Sequence, residues 1–428
     1  MGLRVVRRPL ARLRRSSWHV GLALCALVLG LALSGCGPEL APGELGRLRY
    51  VGNVRGETPA LPLVPPISDR DGNAYVLYGD VGVLETELFV GLAAGGWTGG
   101  CTLTEGNQFG VHGFVGRSQN RAWYWSGEAL VAVTPGIGGC SRVLETDPSS
   151  GAALNFRAVV PWVRETPSRT TTLAWIQAFT DPVPFQVVVD LNRNIYTSLD
   201  RFSPGNATEV TVLGTGGVLD HNEGVFVVRY LADGVLRAEA RFVDHDGKEL
   251  ATVGLSGLDT LPPYGFVGYL QGNATGLYAG LDVEGQLLVF DKSGGKRKGV
   301  GGMIPVGVHE WGGRLFVVGL SDGGVPLVAE IDDDGGVGDV RTWDAARAAL
   351  DNLGGEVEVV DDRSLPSRDT TWKGPRSAIG SRFFVSPHRL DYYADGVTTW
   401  LVAGPSFGQA QGNPQTAIAW LPVGISYD

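Results

Sequence analysis

GVFVVRYLADGVLRAEARFVDHDGK, residues 224–248, is the stretch that decides the fold. Its two apolar runs, Val225 to Leu231 and Leu236 to Val243, are rich in β-branched and aromatic residues, which suit a pleated surface. Between them stands Ala232-Asp233-Gly234, and Asp-Gly is the pair that a tight hairpin turn with positive φ demands. Leu236, Ala238, Ala240 and Phe242 alternate with polar residues, so this strand is expected to bury one face. Asp244-His245-Asp246-Gly247-Lys248 then supplies a second turn.

The same order of strand, turn, strand, turn recurs twice downstream. One copy runs Gly276 to Ala279, Val283-Glu284-Gly285, Leu287 to Phe290 and Asp291-Lys292-Ser293-Gly294. The other runs Arg314 to Val318, Ser321 to Gly324, Pro326 to Ile331 and Asp332-Asp333-Asp334-Gly335. The turn aspartates Asp244, Asp291 and Asp332 are 47 and 41 residues apart, and Asp190 and Glu145 extend the series upstream at 54 and 45. A period of roughly 40–50 residues with about four strands per unit is that of a β-propeller blade. The expected fold is therefore all-β, a single β-propeller of four-stranded antiparallel blades. Residues 67–428 hold seven blades at that period, with eight as the alternative count. Ala417 to Pro422 is expected to close the ring beside Ala74 to Tyr78. A pair of β-sandwiches is the competing architecture, and the even spacing without a linker argues against it. Only Asp344 to Leu350 reads as helix. The turn Phe242-Val243-Asp244-His245-Asp246-Gly247-Lys248 resembles that of PQQ-type, NHL-type and kelch-type propellers without being specific to one of them. The tryptophan ending of PQQ-type blades has one weak counterpart, Asp334 to Trp343, so no quinone cofactor is implied.

The first 35 residues differ from the rest. Arg4, Arg7, Arg8, Arg12, Arg14 and Arg15 form a basic head, and an apolar run follows from Gly21 to Leu33. A basic head, a short apolar core and small residues before a cut make a secretory signal, and the run is short of the roughly 20 residues a membrane span needs. Leu33-Ser34-Gly35-Cys36 resembles the lipobox of bacterial lipoproteins. The resemblance implies that the Cys36 thiol takes a diacylglycerol and that cleavage leaves Cys36 as the N-terminus. Two or three acyl chains, at about 0.8 kcal/mol per buried CH₂, hold such a protein firmly on a membrane. Gly37 is not the aspartate that retains such proteins at the inner membrane, so the outer membrane is the expected address. The domains then divide as signal peptide 1–35, lipidated N-terminus and Pro/Gly-rich tether 36–66, and propeller 67–428.

Loss of the six-arginine head takes the net charge from −10 to −16, which argues against nucleic-acid partners. Cys25 leaves with the signal and Cys36 takes lipid, so Cys101 and Cys140 remain as a pair and are expected to form a disulfide in an oxidising compartment. No metal-ligand set stands out. His112, His221, His245, His309 and His388 share no ligand spacing, and the DxDG stretches at Asp69, Asp244 and Asp332 lack the flanking acids of a calcium loop. No GxSxG is present. Gly214-Thr215-Gly216-Gly217 and Gly299-Val300-Gly301-Gly302 have no following Lys-Ser/Thr and read as turns. Residues 292–298 form a small basic hairpin tip. Tryptophans such as Trp123, Trp125 and Trp162 are expected to pack between blades. No catalytic residue can be named, and no cofactor or metal is expected. The reading is a lipid-anchored envelope propeller that binds or scaffolds protein or glycan partners; a hydrolase, lyase or dehydrogenase with its site at the central channel is the alternative.

Overall fold

The structure is a computed structural model. It describes strand backbone between residues 49 and 424, with side chains for most of residues 144–347 and several of residues 115–132. In chain order, β1 (Arg49–Asn53) precedes a sheet of β2 (Ala60–Pro62), β3 (Ile67–Ser68), β4 (Ala74–Asp80), β5 (Thr86–Leu92) and β6 (Gly96–Leu103). The next sheet holds β7 (Gly113–Ser118), β8 (Arg121–Trp125), β9 (Leu130–Val133) and β10 (Cys140–Val143). It is followed by β11 (Leu154–Val159), β12 (Arg164–Glu165), β13 (Thr170–Ala178), β14 (Phe185–Asp190) and β15 (Ile195–Arg201). Then come β16 (Thr208–Val218), β17 (Glu223–Ala232), β18 (Val235–Asp244) and β19 (Glu249–Gly254), and after them β20 (Phe266–Gly272), β21 (Tyr278–Asp282), β22 (Leu287–Asp291) and β23 (Gly294–Lys298). The next blade is β24 (Ile304–Trp311), β25 (Arg314–Leu320), β26 (Pro326–Ile331) and β27 (Arg341–Thr342). A two-stranded ladder of β28 (Val357–Glu358) and β29 (Thr371–Trp372) follows, then β30 (Phe383–Pro387), β31 (Val397–Gly404) and β32 (Ala417–Gly424).

These sheets are consecutive antiparallel meanders, and the ring is closed by β1, which joins β32 at the edge of the last sheet. Closure thus differs from the expected pairing of Ala417 to Pro422 with Ala74 to Tyr78. The reason is that β4 already has both edges paired, by β2 and β5, and offers no edge to β32. The stretch 36–66, expected to be tether alone, supplies β1 and β2. Residues 344, 345 and 347 are helical, and the Arg347 N–H donates to the Trp343 carbonyl.

The propeller character follows from where the side chains go. In β17, Val225 and Val227 belong to one core, while Phe226, Val228 and Tyr230 belong to the next. In β13, Ala174 and Ile176 face one way and Leu173 and Trp175 the other. In β22, Leu288 and Phe290 pack toward β18, and Leu287 and Val289 toward the β24–β27 blade. Each central blade is therefore buried on both faces, which explains why β14 reads as a continuous apolar run rather than an alternation. Trp123, Trp125, Trp162, Trp175 and Trp343 lie among the largest buried side chains, as expected of inter-blade tryptophans. Trp175 meets Phe226 at 5.8 Å, and Phe242 sits edge-on to Tyr278 and Phe290 at 5.7 and 6.0 Å. Leu236 departs from the expected buried row: Ala238, Ala240 and Phe242 are covered, but Leu236 is 37% exposed because β19 ends before reaching it.

Gly214, Gly216 and Gly217 are the interior of β16 and not a turn. A Cβ on Gly216 would stand 2.4 Å from the Leu270 carbonyl oxygen, and one on Gly217 2.4 Å from Trp162 Cδ1. The glycines let β16 approach β20 closely enough for two parallel rungs, Gly216 to Leu270 and Gly217 to Gln271, which fuse two blades into an eight-stranded sheet. Gly301 and Gly302 do form a turn. A bulge also recurs on innermost strands, at Phe114/Gly116, Phe156/Ala158, Val212/Gly214 and Pro305/Gly307, and bulges of this kind increase local twist.

Phe242→Ala should lower unfolding free energy by about 3–5 kcal/mol, read from denaturant titration, because it empties the center of an aromatic cluster shared by two blades. Burial of His309 holds its pKa down to about 3, below the ordinary 6.5. The unfolded chain therefore takes up a proton that the folded chain refuses between those values. Stability should fall as pH drops from about 6.5 towards 3, by about 1.4 kcal/mol per unit from this group, and His309→Gln should flatten that slope in denaturation curves.

Candidate functional site

The turn aspartates are structural devices. Asp190, Asp244, Asp291 and Asp332 each stand between the third and fourth main strand of successive blades, so the spacing seen in sequence is real. Glu145 does not hold that position, because the corresponding turn between β9 and β10 falls at 134–139. The Asp244 Oδ1 accepts the backbone N–H of Asp246 at 3.0 Å and of Lys248 at 2.9 Å. Asp190 accepts from Asn192 and Arg193, and Asp291 from Ser293 and Gly294. Asp282 accepts from Glu284 and Gln286 one hairpin earlier, and Asn273 accepts from Thr275 and Leu277 in the same way. Each oxygen is directed at its own backbone, the arrangement of an Asx turn. The hydrogen bonds to Asp291 hold its carboxyl below the usual range. Asp69 lies outside the described residues.

The remaining ionisable groups mostly join blades. Asp246 receives Arg169 at 3.4 Å and Arg164 at 3.8 Å from the preceding blade, and His245 Nε2 lies 2.9 Å from its other oxygen. Lys292 pairs with the buried carboxylate of Glu223, to which the Tyr278 hydroxyl donates at 3.2 Å. Burial and that carboxylate raise the Tyr278 phenol well above its ordinary value, which keeps it a donor. The basic stretch 292–298, expected to be a solvated tip, is largely engaged. Arg297 pairs with fully buried Asp282 and with Glu284, each at 2.6 Å, and Lys298 donates to the Gly335 carbonyl of the next blade. The expectation failed because the partners come from other turns, distant in sequence.

The site the structure offers for a ligand is a cleft of about 580 Å³ beside the β17–β18 hairpin. One wall is Leu236, Arg237, Ala238 and Glu239, and the other is the loop Gly254 to Asp259. Asp233 and Gly234, at φ 52° and 74°, make the positive-φ turn that the Asp-Gly pair predicted. On the floor the Tyr230 hydroxyl donates to Glu239 Oε2 at 2.9 Å, and the Arg241 guanidinium stands 3.6 Å from the other oxygen. Burial and the Glu239 carboxylate raise the Tyr230 pKa. Arg229 fixes the far wall by donating to the carbonyls of Leu261 and Asp259. Sequence reading did not find this cleft; the signal that could have found it was the length of β18, which outruns β19.

Cys101 lies on β6 and Cys140 on β10, the outermost strands of successive sheets, with their side chains outside the described residues. Cys36, His112 and His388 also lie outside them. His221 is exposed, and His309 is buried in β24, so the described histidines do not converge.

No protein-family model matches the chain, and no curated protein matches it in sequence. Solved structures do. The Dos1 propeller is similar over 87% of this chain and 95% of its own, at 9% identity and a TM-score of 0.46. Apo AztD from Citrobacter koseri is similar over 89% of this chain and 100% of its own, at 13% identity and a TM-score of 0.40. The fucose-specific lectin from Aleuria aurantia is similar over 68% of this chain and 96% of its own, at 10% identity and a TM-score of 0.37. The fold itself, by strand order and by blades buried on both faces, is a β-propeller.

Proposed function

We propose that this protein is a lipid-anchored propeller of the bacterial cell envelope that binds or scaffolds partners. The observation that carries the binding role is the way charged groups cross from blade to blade: Arg164 and Arg169 to Asp246, Lys292 to Glu223, Lys298 to Gly335. Such bonds make successive blades one rigid platform, and rigid elements hold a binding surface at low entropic cost. The anchor rests on Leu33-Ser34-Gly35-Cys36 and the basic, apolar segment before it. A disulfide between Cys101 and Cys140 would staple the outer strands of two successive sheets, and over a loop of this length it contributes a few kcal/mol in the chain-entropy model.

Cys36→Ser should move the protein from the membrane fraction to the soluble fraction and abolish incorporation of labelled palmitate. Retention on the membrane without label would overturn the lipid anchor. Intact mass of the non-reduced protein, alkylated under denaturing conditions, should show no label on Cys101 or Cys140; alkylation of both would overturn the disulfide. Cross-linking on membranes followed by purification in mild detergent should recover a reproducible envelope partner, and recovery of the protein alone would count against a scaffold.

A further inference from the structure

Starting from that binding role, the geometry points to the free edge of β18 at residues 235–237 as the docking site of an extended peptide from a partner protein, one that adds a strand and presents a basic side chain. β18 is fully paired with β17 across this stretch: Val235 stands opposite Ala232, Leu236 opposite Leu231 and Arg237 opposite Tyr230. On its other edge β19 ends at Gly254, opposite Glu239. The final rung there is the Leu255 N–H donating to the Ala238 carbonyl at 2.8 Å, after which the chain turns away. Backbone groups alternate sides along a strand, so Leu236, two residues from Ala238, directs its N–H and carbonyl to the side that β19 vacates. The cleft occupies that side, with the 254–259 loop as its far wall. A strand added there would continue the sheet in the position of β19, the mode by which exposed edges capture peptides.

Three observations choose the occupant. Val235 and Leu236 are 55% and 37% exposed at the lip, an apolar pair that an added strand would cover. Tyr230, the aromatic residue of the cleft, is only 5% exposed, so it offers no ring face on which a sugar could stack. Asp233 at the hairpin tip and Asp259 on the far wall are exposed carboxylates, and Glu239 lies between the walls. Arg237 is the one cation among the cleft-lining residues. The balance is acidic and suits a lysine or arginine on the incoming peptide.

The test uses the full chain purified in mild detergent and a random dodecapeptide display library as probe. Peptides bearing a basic residue should be enriched, and their synthetic forms should slow hydrogen exchange at the Leu236 amide. Leu236→Pro removes the outward N–H while leaving the β17 ladder intact, and should weaken binding about tenfold or more, as loss of a ladder hydrogen bond implies. Ser256→Trp fills the cleft from the opposite wall and should have the same effect without touching β18. Lys296→Glu, on the distant outer strand β23, should bind as the parent does. No enrichment, slowed exchange elsewhere, or equal binding by both cleft variants would overturn the proposal, as would selective binding of oligosaccharides in the same cleft. Membrane partners that persist with Ser256→Trp would leave the scaffold role standing and remove this site. Peptide binding without any membrane partner would do the reverse.

Discussion

Each blade must bury both of its faces, and the rest of the structure depends on that requirement. A four-stranded sheet standing alone has two exposed faces and two open edges. Packing sheets side by side covers the faces, and bringing β1 beside β32 joins the two ends of the chain. The chemistry of individual residues follows. Val225 and Phe226 are neighbors in sequence but serve different cores, so the strand needs apolar residues at consecutive positions. Small residues are needed where blades converge, which is why Gly214, Gly216 and Gly217 crowd into one inner strand. Their absent side chains make room for Phe266, Leu270 and Trp162.

Polar groups obey the same geometry. Turns at the ends of blades carry backbone N–H groups with no strand partner, and aspartate oxygens satisfy them locally. Where a turn approaches the next blade, its charged residue finds a partner across the gap, as Asp246 and Lys292 do. Arg297 and Asp282 show the deeper version, a carboxylate removed from water and matched by a guanidinium. An ion pair with so little exposure contributes less to net stability than its charge suggests, because desolvation opposes the attraction. Its effect is to fix which turn lies against which strand.

The exception to two-faced burial is the site of interest. β18 is longer than the strand that should cover it, so Leu236 remains at a lip and its backbone groups face a cleft. An edge left open in a fold that otherwise closes its edges is a site where a further strand can be accepted. The acidic rim and the buried tyrosine then narrow what that strand can carry.

Much of this was legible in the sequence. Asp233-Gly234 fixed a hairpin, and the aspartates at 190, 244, 291 and 332 marked the same turn in successive blades. Local backbone chemistry dictates both, since positive φ and unpaired N–H groups are properties of a few adjacent residues. Leu33-Ser34-Gly35-Cys36 is likewise local, being a motif that is read before the chain folds. What sequence reading missed was decided between distant segments. Gly214 to Gly217 look like a turn until β20 is placed against them, and residues 292–298 look solvated until Glu223 and Gly335 arrive. The partner of β32 depended on which early strand still had an unpaired edge. The cleft at Leu236 exists only because two strands of unequal length lie side by side. The sequence by itself determined the repeating hairpins and the address motif, because those rest on local geometry. Tertiary structure alone decided the closure, the inter-blade bonds and the open edge, because those depend on which surfaces meet.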